Sequence, residues 1–102
     1  RDRIMGTVNS IEKITTSDDD KEEYLESVDT SSDEYNYASA YRFANYVIYL
    51  NNGPGNTLPC FINTTEDLLP KEGDKISLIG EHFSYDYSDY INAENSAIYI
   101  FK

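Results

Sequence analysis

Apolar and polar residues alternate in several short runs along the chain, which is the pattern of strands in a small sheet. In the first run Ile4, Gly6 and Val8 alternate, and the apolar phase then shifts to Ile11 and Ile14. A phase shift within one strand predicts a β-bulge, and a glycine in such a strand predicts a bend. This run is therefore predicted as one bent strand.

The next runs predict a hairpin. Residues 41–51 are dense in aromatic and β-branched side chains, which is typical of a strand. The turn residues Asn-Asn-Gly-Pro-Gly-Asn at 51–56 follow, and residues 57–63 return as the partner strand. One side of the first of these strands is more apolar and is predicted to face the core. Its residues are Ala44, Tyr46, Ile48 and Leu50.

A charged turn precedes the most informative strand. Residues 64–69 predict a short helical turn with Thr64 as its N-cap, and Pro70 ends it. Gly73 and Asp74 supply turn chemistry, and residues 76–83 then form an apolar strand. Gly80 inside this strand predicts a sharp bend.

The remaining residues predict one more strand. Residues 84–96 carry tyrosines among Ser and Asp and are predicted to form the arms and tip of a hairpin. Residues 97–102 are predicted as the fifth strand, with Ile98 and Ile100 alternating against Tyr99 and Phe101. Strongly bent strands occur where a small sheet curls on itself. At 102 residues the chain is therefore predicted to be a single all-β domain, a five-stranded antiparallel barrel with no helix longer than about two turns.

The charge is concentrated in one segment. Of the formal net charge of −11, residues 17–37 carry nine acids and one base. These residues offer little apolar surface, so the segment is predicted to be a solvated, mobile loop between strands one and two. Calcium binding is not expected, because Glu23 stands where an EF-hand loop starting at Asp18 requires glycine.

Little in the sequence indicates catalysis. Cys60 is the only cysteine and is predicted to be a buried core residue, and His82 has no second histidine or evident nucleophile beside it. No enzymatic activity, catalytic residue, metal or cofactor is therefore predicted. No apolar run approaches the roughly 20 residues of a membrane span. Cytoplasmic location is slightly favoured, and export stays open if a leader has been removed.

The order of these elements resembles the OB-fold, a five-stranded Greek-key barrel. The likeness covers residues 4–14 and 41–102, and its most characteristic part is Glu72-Gly73-Asp74-Lys75-Ile76-Ser77-Leu78-Ile79-Gly80. This stretch is similar to the Lys-Gly-Asp-x-Val-x-Val-x-Gly strand of small bacterial and archaeal OB domains of the tRNA-anticodon-binding type. An SH3-like barrel would produce much of the same pattern. The acidic segment is longer, and the helix after strand three shorter, than in most such domains.

The resemblance implies a ligand face along strands two and three, since OB-folds bind there. Transferred by position, the face comprises Arg42, Phe43, Asn45, Val47, Tyr49, Phe61, Asn63, Tyr85, Tyr87 and Tyr90, with Lys13 beside it. Aromatic residues on such a face stack on bases, sugar rings or protein side chains. Alternatively, Tyr49 and Phe61 form only a cross-strand pair half-covered by a loop.

Three functions follow from these features. The charge favours a binding module that docks onto a protein partner, with the acidic segment either meeting a basic surface of that partner or keeping nucleic acid off the barrel. Fold analogy offers single-stranded nucleic acid as a second ligand, although only seven bases lie outside the acidic segment. Oligosaccharide or another small ligand is the third. The oligomeric state is not indicated by the sequence.

Overall fold

The structure is a computed structural model that describes all 102 residues. Six strands, two helices and one 3₁₀ turn follow one another along the chain. They are β1 (Asp2–Lys13), α1 (Asp18–Ser27), α2 (Asp33–Phe43), β2 (Tyr46–Asn51), β3 (Thr57–Ile62), the 3₁₀ turn (Glu66–Leu68), β4 (Lys75–Tyr85), β5 (Ser88–Glu94) and β6 (Tyr99–Ile100).

Five of the strands close into a barrel. Their order is β1, β2, β3, β5, β4, and β4 pairs again with β1. The predicted all-β barrel is therefore confirmed. Its strands are mixed rather than strictly antiparallel, because β3 and β5 run parallel. The closed five-stranded barrel is compatible with an OB-like fold.

The two strand glycines lie where a strand changes partner. β1 pairs with β4 through residues 2–7 and with β2 through residues 7–13, and a register shift between Val8 and Ser10 follows Gly6. β4 pairs with β1 up to Gly80 and with β5 from Glu81. A methyl group on Gly6 would come within 2.7 Å of the Asn51 carbonyl oxygen. The predicted bulge and bends are present because neighbouring backbone approaches these positions closely.

The interior of the barrel is an apolar cluster built from alternate strand residues. Three of the four residues of the predicted row contribute to it, and the fourth, Ala44, instead lies outside the barrel at the end of α2. The cluster consists of Val8, Tyr46, Ile48, Leu50, Leu58, Cys60, Ile62, Ile76, Leu78, Ile91 and Ala93. Cys60 is fully buried, and burial raises the pKa of its thiol to about 12. The predicted core role of Cys60 is thereby confirmed.

The acidic segment is not an irregular loop, which corrects the prediction. It forms α1 and the start of α2, and each begins at a serine whose hydroxyl accepts a backbone N–H bond: Ser17 from Asp20, and Ser32 from Tyr35. Acidic residues fill the first turn of both helices, where they interact favourably with the helix dipole. Both helices also exceed the predicted limit of about two turns, since they contain 10 and 11 residues.

The boundary of the second strand is also corrected. Tyr41, Arg42 and Phe43 belong to the last turn of α2, and the strand begins only at Tyr46. The side chains facing the barrel from α2 follow the helical spacing i, i+3, i+4, i+7, since Tyr37, Ala40, Tyr41 and Ala44 all belong to one cluster. This periodicity was the available signal for the helix, and the strand-like composition of 41–51 obscured it.

Two further predictions differ from the structure in their boundaries. The fifth barrel strand is β5, not residues 97–102, and only Tyr99 and Ile100 form the short β6 that pairs with β4. A two-residue turn, Asp86-Tyr87, joins β4 to β5, and both residues have positive φ angles as type I′ hairpins require. The 3₁₀ turn has Thr65, not Thr64, as its N-cap, without a side-chain bond.

Candidate functional site

Helix α2 covers the outer face of β3 and β5 and the end of β4, together with Val47 of β2. Here Val47, Phe61 and Tyr90 pack against Ala40 and Ala44 in a second buried cluster. The ring of Tyr37 on α2 meets the rings of Phe61 and Tyr90 edge to face, with centroids 5.6 and 5.4 Å apart. Such contacts are typical of a packed interior. The chain therefore covers with its own helix much of the face from which a ligand-binding surface was predicted.

Three residues of the predicted face are consequently almost entirely covered in this structure. Val47, Phe61 and Tyr90 are between 3 and 5% exposed. Tyr49 and Tyr85 are half-buried at the border of the same cluster, and only Tyr87, at the tip of the hairpin, is fully exposed. The predicted face is thus divided into a covered centre and a separate exposed tip.

Other members of the predicted face either form hydrogen bonds within the fold or line a different surface. Asn45 binds the backbone of Thr64 twice: its side-chain amide donates to the Thr64 carbonyl at 2.7 Å, and its side-chain oxygen accepts from the Thr64 N–H at 3.0 Å. Phe43 and Asn63 line a cleft of about 410 Å³ on the far side of α2, together with Ser39, Asn92, Glu94 and Asn95. Three of its six lining residues are asparagines, and its one hydroxyl, on Ser39, forms no hydrogen bond with Glu94 that would pair a nucleophile with a base.

A shallower groove of about 350 Å³ remains between α2 and the end of β1. Tyr37, Tyr41, Tyr49 and Lys13 line it. It is the accessible remnant of the predicted aromatic face. Only one cation, Lys13, borders it, which is a weak basis for following a phosphate backbone.

Helix α1 is held to the rest of the molecule by charged groups. Lys21 is 4% exposed, and its ammonium donates to the Ala44 carbonyl at 2.7 Å. Burial lowers the pKa of this lysine below its ordinary value. Arg42, predicted as a ligand-face residue, instead donates through Nε to Glu22 at 2.5 Å and lies 3.7 Å from Asp18. Both cations therefore tie α1 to the end of α2.

Apart from this attachment, α1 presents a surface for which the fold supplies no partner. Lys21 is its only buried side chain. Asp19, Asp20, Glu23 and Glu26 are exposed. Leu25 and the adjoining Val28 are partly buried, and they share the face of Lys21, since they follow it by four and seven residues. We call Asp19, Asp20, Glu23 and Glu26 the α1 surface.

The residues that could carry catalysis are not assembled into a site. His82 is exposed and lies 3.6 Å from Asp89, whose pKa is held below its ordinary value mainly by the hydrogen bond from the Ser84 hydroxyl. No three His, Cys, Asp or Glu side chains are grouped so that they could hold a metal ion. None of the helices has the length and apolar character needed to cross a membrane.

The tyrosines around α2 predict a loss of stability in alkali. Burial raises the pKa of Tyr90 to about 12, and it also raises the pKa values of Tyr37 and Tyr49. In the unfolded chain these phenols ionise near pH 10. The folded state therefore keeps its full stability from these groups below about pH 10 and loses it as pH rises from 10 towards 12. Urea unfolding at pH 8, 10 and 11, with tyrosinate absorbance as the probe, measures this decline.

Other groups also contribute in this range: burial raises the pKa values of Tyr24 and Tyr85, which act in the same direction. Cys60 acts in the same direction from about pH 9, whereas the lowered pKa of Lys21 acts in the opposite direction. The variant Tyr90→Phe should show a smaller alkaline decline than the wild type. Equal declines in the two proteins would contradict the assignment to buried tyrosines.

Together the barrel and its helices define a class: a closed, OB-like five-stranded barrel with a helical insertion between β1 and β2 that covers one outer face. No protein-family model matches this chain, and searches of curated proteins and of solved structures find no significant match.

Proposed function

We propose that this protein is a non-enzymatic binding module whose partner is another protein, and that the α1 surface is its contact element. The observation that carries the proposal is that α2 buries Val47, Phe61 and Tyr90. Bases or sugar rings cannot stack on aromatic side chains that are already packed beneath a helix. The insertion that covers this face carries, on its outer helix, the α1 surface.

The electrostatics of the molecule support the same proposal. The four carboxylates of the α1 surface lie within the 10 residues of α1, and Arg42 pairs only with the neighbouring Asp18 and Glu22. Such a surface repels phosphate backbones and attracts basic protein surfaces, mainly by raising the rate of association.

The proposal includes kinship of the barrel with small OB domains of the tRNA-anticodon-binding type. Its support is the stretch 72–80, where Gly73 adopts a positive φ of 90° in the turn and Gly80 allows the strand to change partner. Asp74 closes this turn, since its carboxylate accepts from the Lys71 N–H at 2.8 Å. Kinship in fold does not carry the ligand with it.

The proposal is tested by cross-linking. A carbodiimide joins carboxylates directly to lysine amines, so treatment of extracts of the native cells, followed by mass spectrometry, should recover a protein joined to Asp19, Glu23 or Glu26. A triple α1 variant, Asp19→Asn, Glu23→Gln and Glu26→Gln, should recover at least tenfold less of it. The control variant removes three exposed charges elsewhere, by Glu12→Gln, Glu66→Gln and Asp86→Asn, and should behave as the wild type.

Nucleic-acid binding is tested in parallel. Labelled single-stranded DNA and RNA of about 15 nucleotides, a length sufficient for one OB-fold, should show no change in fluorescence anisotropy with the wild-type protein at low salt. Tight binding that weakens steeply with added salt would overturn the proposal, because that dependence is characteristic of phosphate contacts. Equal cross-linking of the triple α1 variant and its control would overturn the role of the α1 surface.

A further inference from the structure

The cleft between the end of α2 and the ends of β3 and β5 is the largest cavity of the molecule. Its volume of about 410 Å³ falls in the range of small-molecule sites, about 300 to 1,000 Å³. Two of its lining residues belong to α2, one follows β3, and three lie at the end of β5 or directly after it. We call these residues, Ser39, Phe43, Asn63, Asn92, Glu94 and Asn95, the amide cleft. None of them belongs to the α1 surface.

The side chains of the amide cleft carry more hydrogen-bonding groups than the fold uses. Asn63 donates one side-chain N–H to the Asn95 side-chain oxygen at 3.0 Å, and the Asn92 side-chain oxygen accepts from the Glu94 N–H at 3.3 Å. An asparagine side chain offers two donors and an oxygen with two lone pairs. The side-chain nitrogens of Asn92 and Asn95 donate to no protein group. The cleft therefore presents unpaired donors beside acceptors.

An exposed aromatic ring forms one wall of the amide cleft. Phe43 is 61% exposed, and the Arg42 guanidinium lies 5.2 Å from the centre of its ring. Arg42 lines a neighbouring cleft that Phe43 also borders, but it does not line the amide cleft. The guanidinium therefore covers the ring from the neighbouring cleft and leaves the side toward the amides open. A flat apolar surface next to unpaired polar groups suits a ligand ring whose edge is polar.

The amide cleft continues past Asn63 and Asn95. A second cleft of about 390 Å³ shares these two residues and adds the hydroxyls of Thr64 and Thr65. It also contains Leu68, which is 61% exposed. The two clefts together form one trough, in which an exposed apolar side chain accompanies polar groups in each half. The trough therefore has room for a ligand of more than one ring.

The charge and the strand pairing around the trough select the chemistry of its ligand. Glu94 is the only charged residue in either cleft, and the Arg1 guanidinium lies 3.5 Å from its carboxylate. A phosphorylated ligand would find no cation among the lining residues. An extended peptide gains affinity by joining a free strand edge, but both edges of β3 and of β5 are already paired at this site. A neutral ligand rich in hydroxyl groups fits the trough best.

We propose that the trough binds a neutral oligosaccharide, with one sugar ring stacked on Phe43 and its hydroxyls bonded to Asn63, Asn92 and Asn95. A sugar hydroxyl donates and accepts at the same time, as an asparagine amide does, so neighbouring hydroxyls match these amides. The next sugar ring lies in the second cleft, over Leu68. This binding goes beyond the proposed protein partner and uses no residue of the α1 surface.

The test is a titration of the isotope-labelled protein with neutral sugars, followed by NMR. The probes are maltotriose, cellotriose, chitotriose and mannotriose, each with its own monosaccharide, up to about 10 mM, which nearly saturates a site with a dissociation constant of about 1 mM. At least one trisaccharide should shift the side-chain amide signals of Asn63, Asn92 and Asn95. It should bind at least tenfold more tightly than its monosaccharide, because it occupies both clefts. Unchanged signals with all four trisaccharides would overturn the inference.

Substitutions of Phe43 test the stacking. Phe43→Leu keeps apolar area but removes the flat ring, so it should weaken binding of that trisaccharide at least tenfold, whereas Phe43→Trp should retain it. The control is Tyr99→Ala, because Tyr99 is similarly exposed, at 59%, but lines neither cleft. It should bind the trisaccharide as the wild type does. Equal affinity in Phe43→Leu and the wild type would contradict stacking on this ring.

A substitution of Asn95 tests the hydrogen bonds. Asn95→Asp keeps an oxygen that accepts from Asn63 but removes the donor nitrogen that faces the ligand. It should therefore weaken trisaccharide binding at least tenfold while leaving the thermal unfolding temperature nearly unchanged, since Asn95 is exposed. Undiminished binding by this variant would contradict the assigned role of the amide.

A peptide ligand would give a different result. A neutral hexapeptide of alternating glycine and alanine that shifts the same amide signals, when no trisaccharide does, would show that the trough binds a polypeptide and would overturn the inference. The failure of this inference and of the proposed function can be told apart, because the trough and the α1 surface share no residue. Loss of cross-linking in the triple α1 variant should leave its trisaccharide affinity equal to that of the wild type.

Discussion

Replacing Phe61 with alanine is expected to lower the free energy of unfolding by about 3 to 5 kcal/mol, the range for removing a buried aromatic ring. Phe61 is 5% exposed and packs edge to face against Tyr37 and Tyr90, with centroids 5.6 and 5.7 Å apart. The cavity would lie between α2 and the barrel. Urea unfolding followed by circular dichroism measures the change. The total free energy of unfolding of a domain of this size is only about 5 to 15 kcal/mol. The variant is therefore expected to fold, but with marginal stability.

The size of this loss distinguishes a face that is covered by α2 from a face that is exposed to bind a ligand. If Phe61 were an exposed stacking residue, the same substitution would change stability by no more than about 0.5 kcal/mol. The control is Tyr90→Phe in the same cluster. The Tyr90 hydroxyl is buried without a hydrogen-bond partner, so its removal should leave stability unchanged or raise it. A large loss in Tyr90→Phe would show that this hydroxyl has a partner that stabilises the fold.

Replacing Gly80 with alanine is expected to cost about 1 to 3 kcal/mol, the usual penalty for adding a methyl group to a filled interior. The added carbon would collide with the Cγ2 methyl of Ile91 and lie 3.0 Å from the Asn92 carbonyl oxygen. Gly80 is also where β4 leaves β1 and joins β5, so the collision falls on the bend that closes the barrel. Thermal and urea unfolding both measure the loss.

A double-mutant cycle tests the cause of that loss. Ile91→Ala alone should be destabilising, because Ile91 is fully buried in the barrel core. It also removes the methyl group that collides with the new side chain at position 80. The loss of stability in the double variant should therefore be smaller than the sum of the two single losses, by about 0.5 kcal/mol or more. Strict additivity would show that contact with Ile91 is not the origin of the penalty.

The covered face explains which part of the candidate site could be predicted. The alternation of Tyr46, Ile48 and Leu50 correctly predicted the inner side of β2, although the predicted strand 41–51 began five residues too early. The outer side was correctly taken to be aromatic, with Val47 and Phe61 in it. Its occupant was missed, because Tyr37, Ala40, Tyr41 and Ala44 have helical spacing but run almost directly into the strand.

Where α2 ends depends on distant contacts. Its last turn carries no glycine, and the chain leaves the helix at Ala44 in an extended conformation. Asn45 then donates its N–H to the Ile62 carbonyl at 3.0 Å and accepts from the Ile14 N–H at 2.9 Å. These two sheet bonds, made with residues 17 and 31 positions away in the chain, set the boundary. Local propensity does not contain that information.

The sequence by itself determined the bends at Gly6 and Gly80, the turn before β4, the inward rows of the strands and the concentration of negative charge, because each depends on the residue's own conformational range or on a period of two. Only the tertiary structure decided that residues 88–94 close the barrel by pairing with β3, while Tyr99 and Ile100 form a short additional strand. Both segments have strand composition, and the choice depends on which edge each one can reach. The position of α2 was likewise decided by the tertiary structure. The serine caps of α1 and α2 favour helices, but α2 is stabilised over the aromatic face because it buries apolar side chains against the barrel.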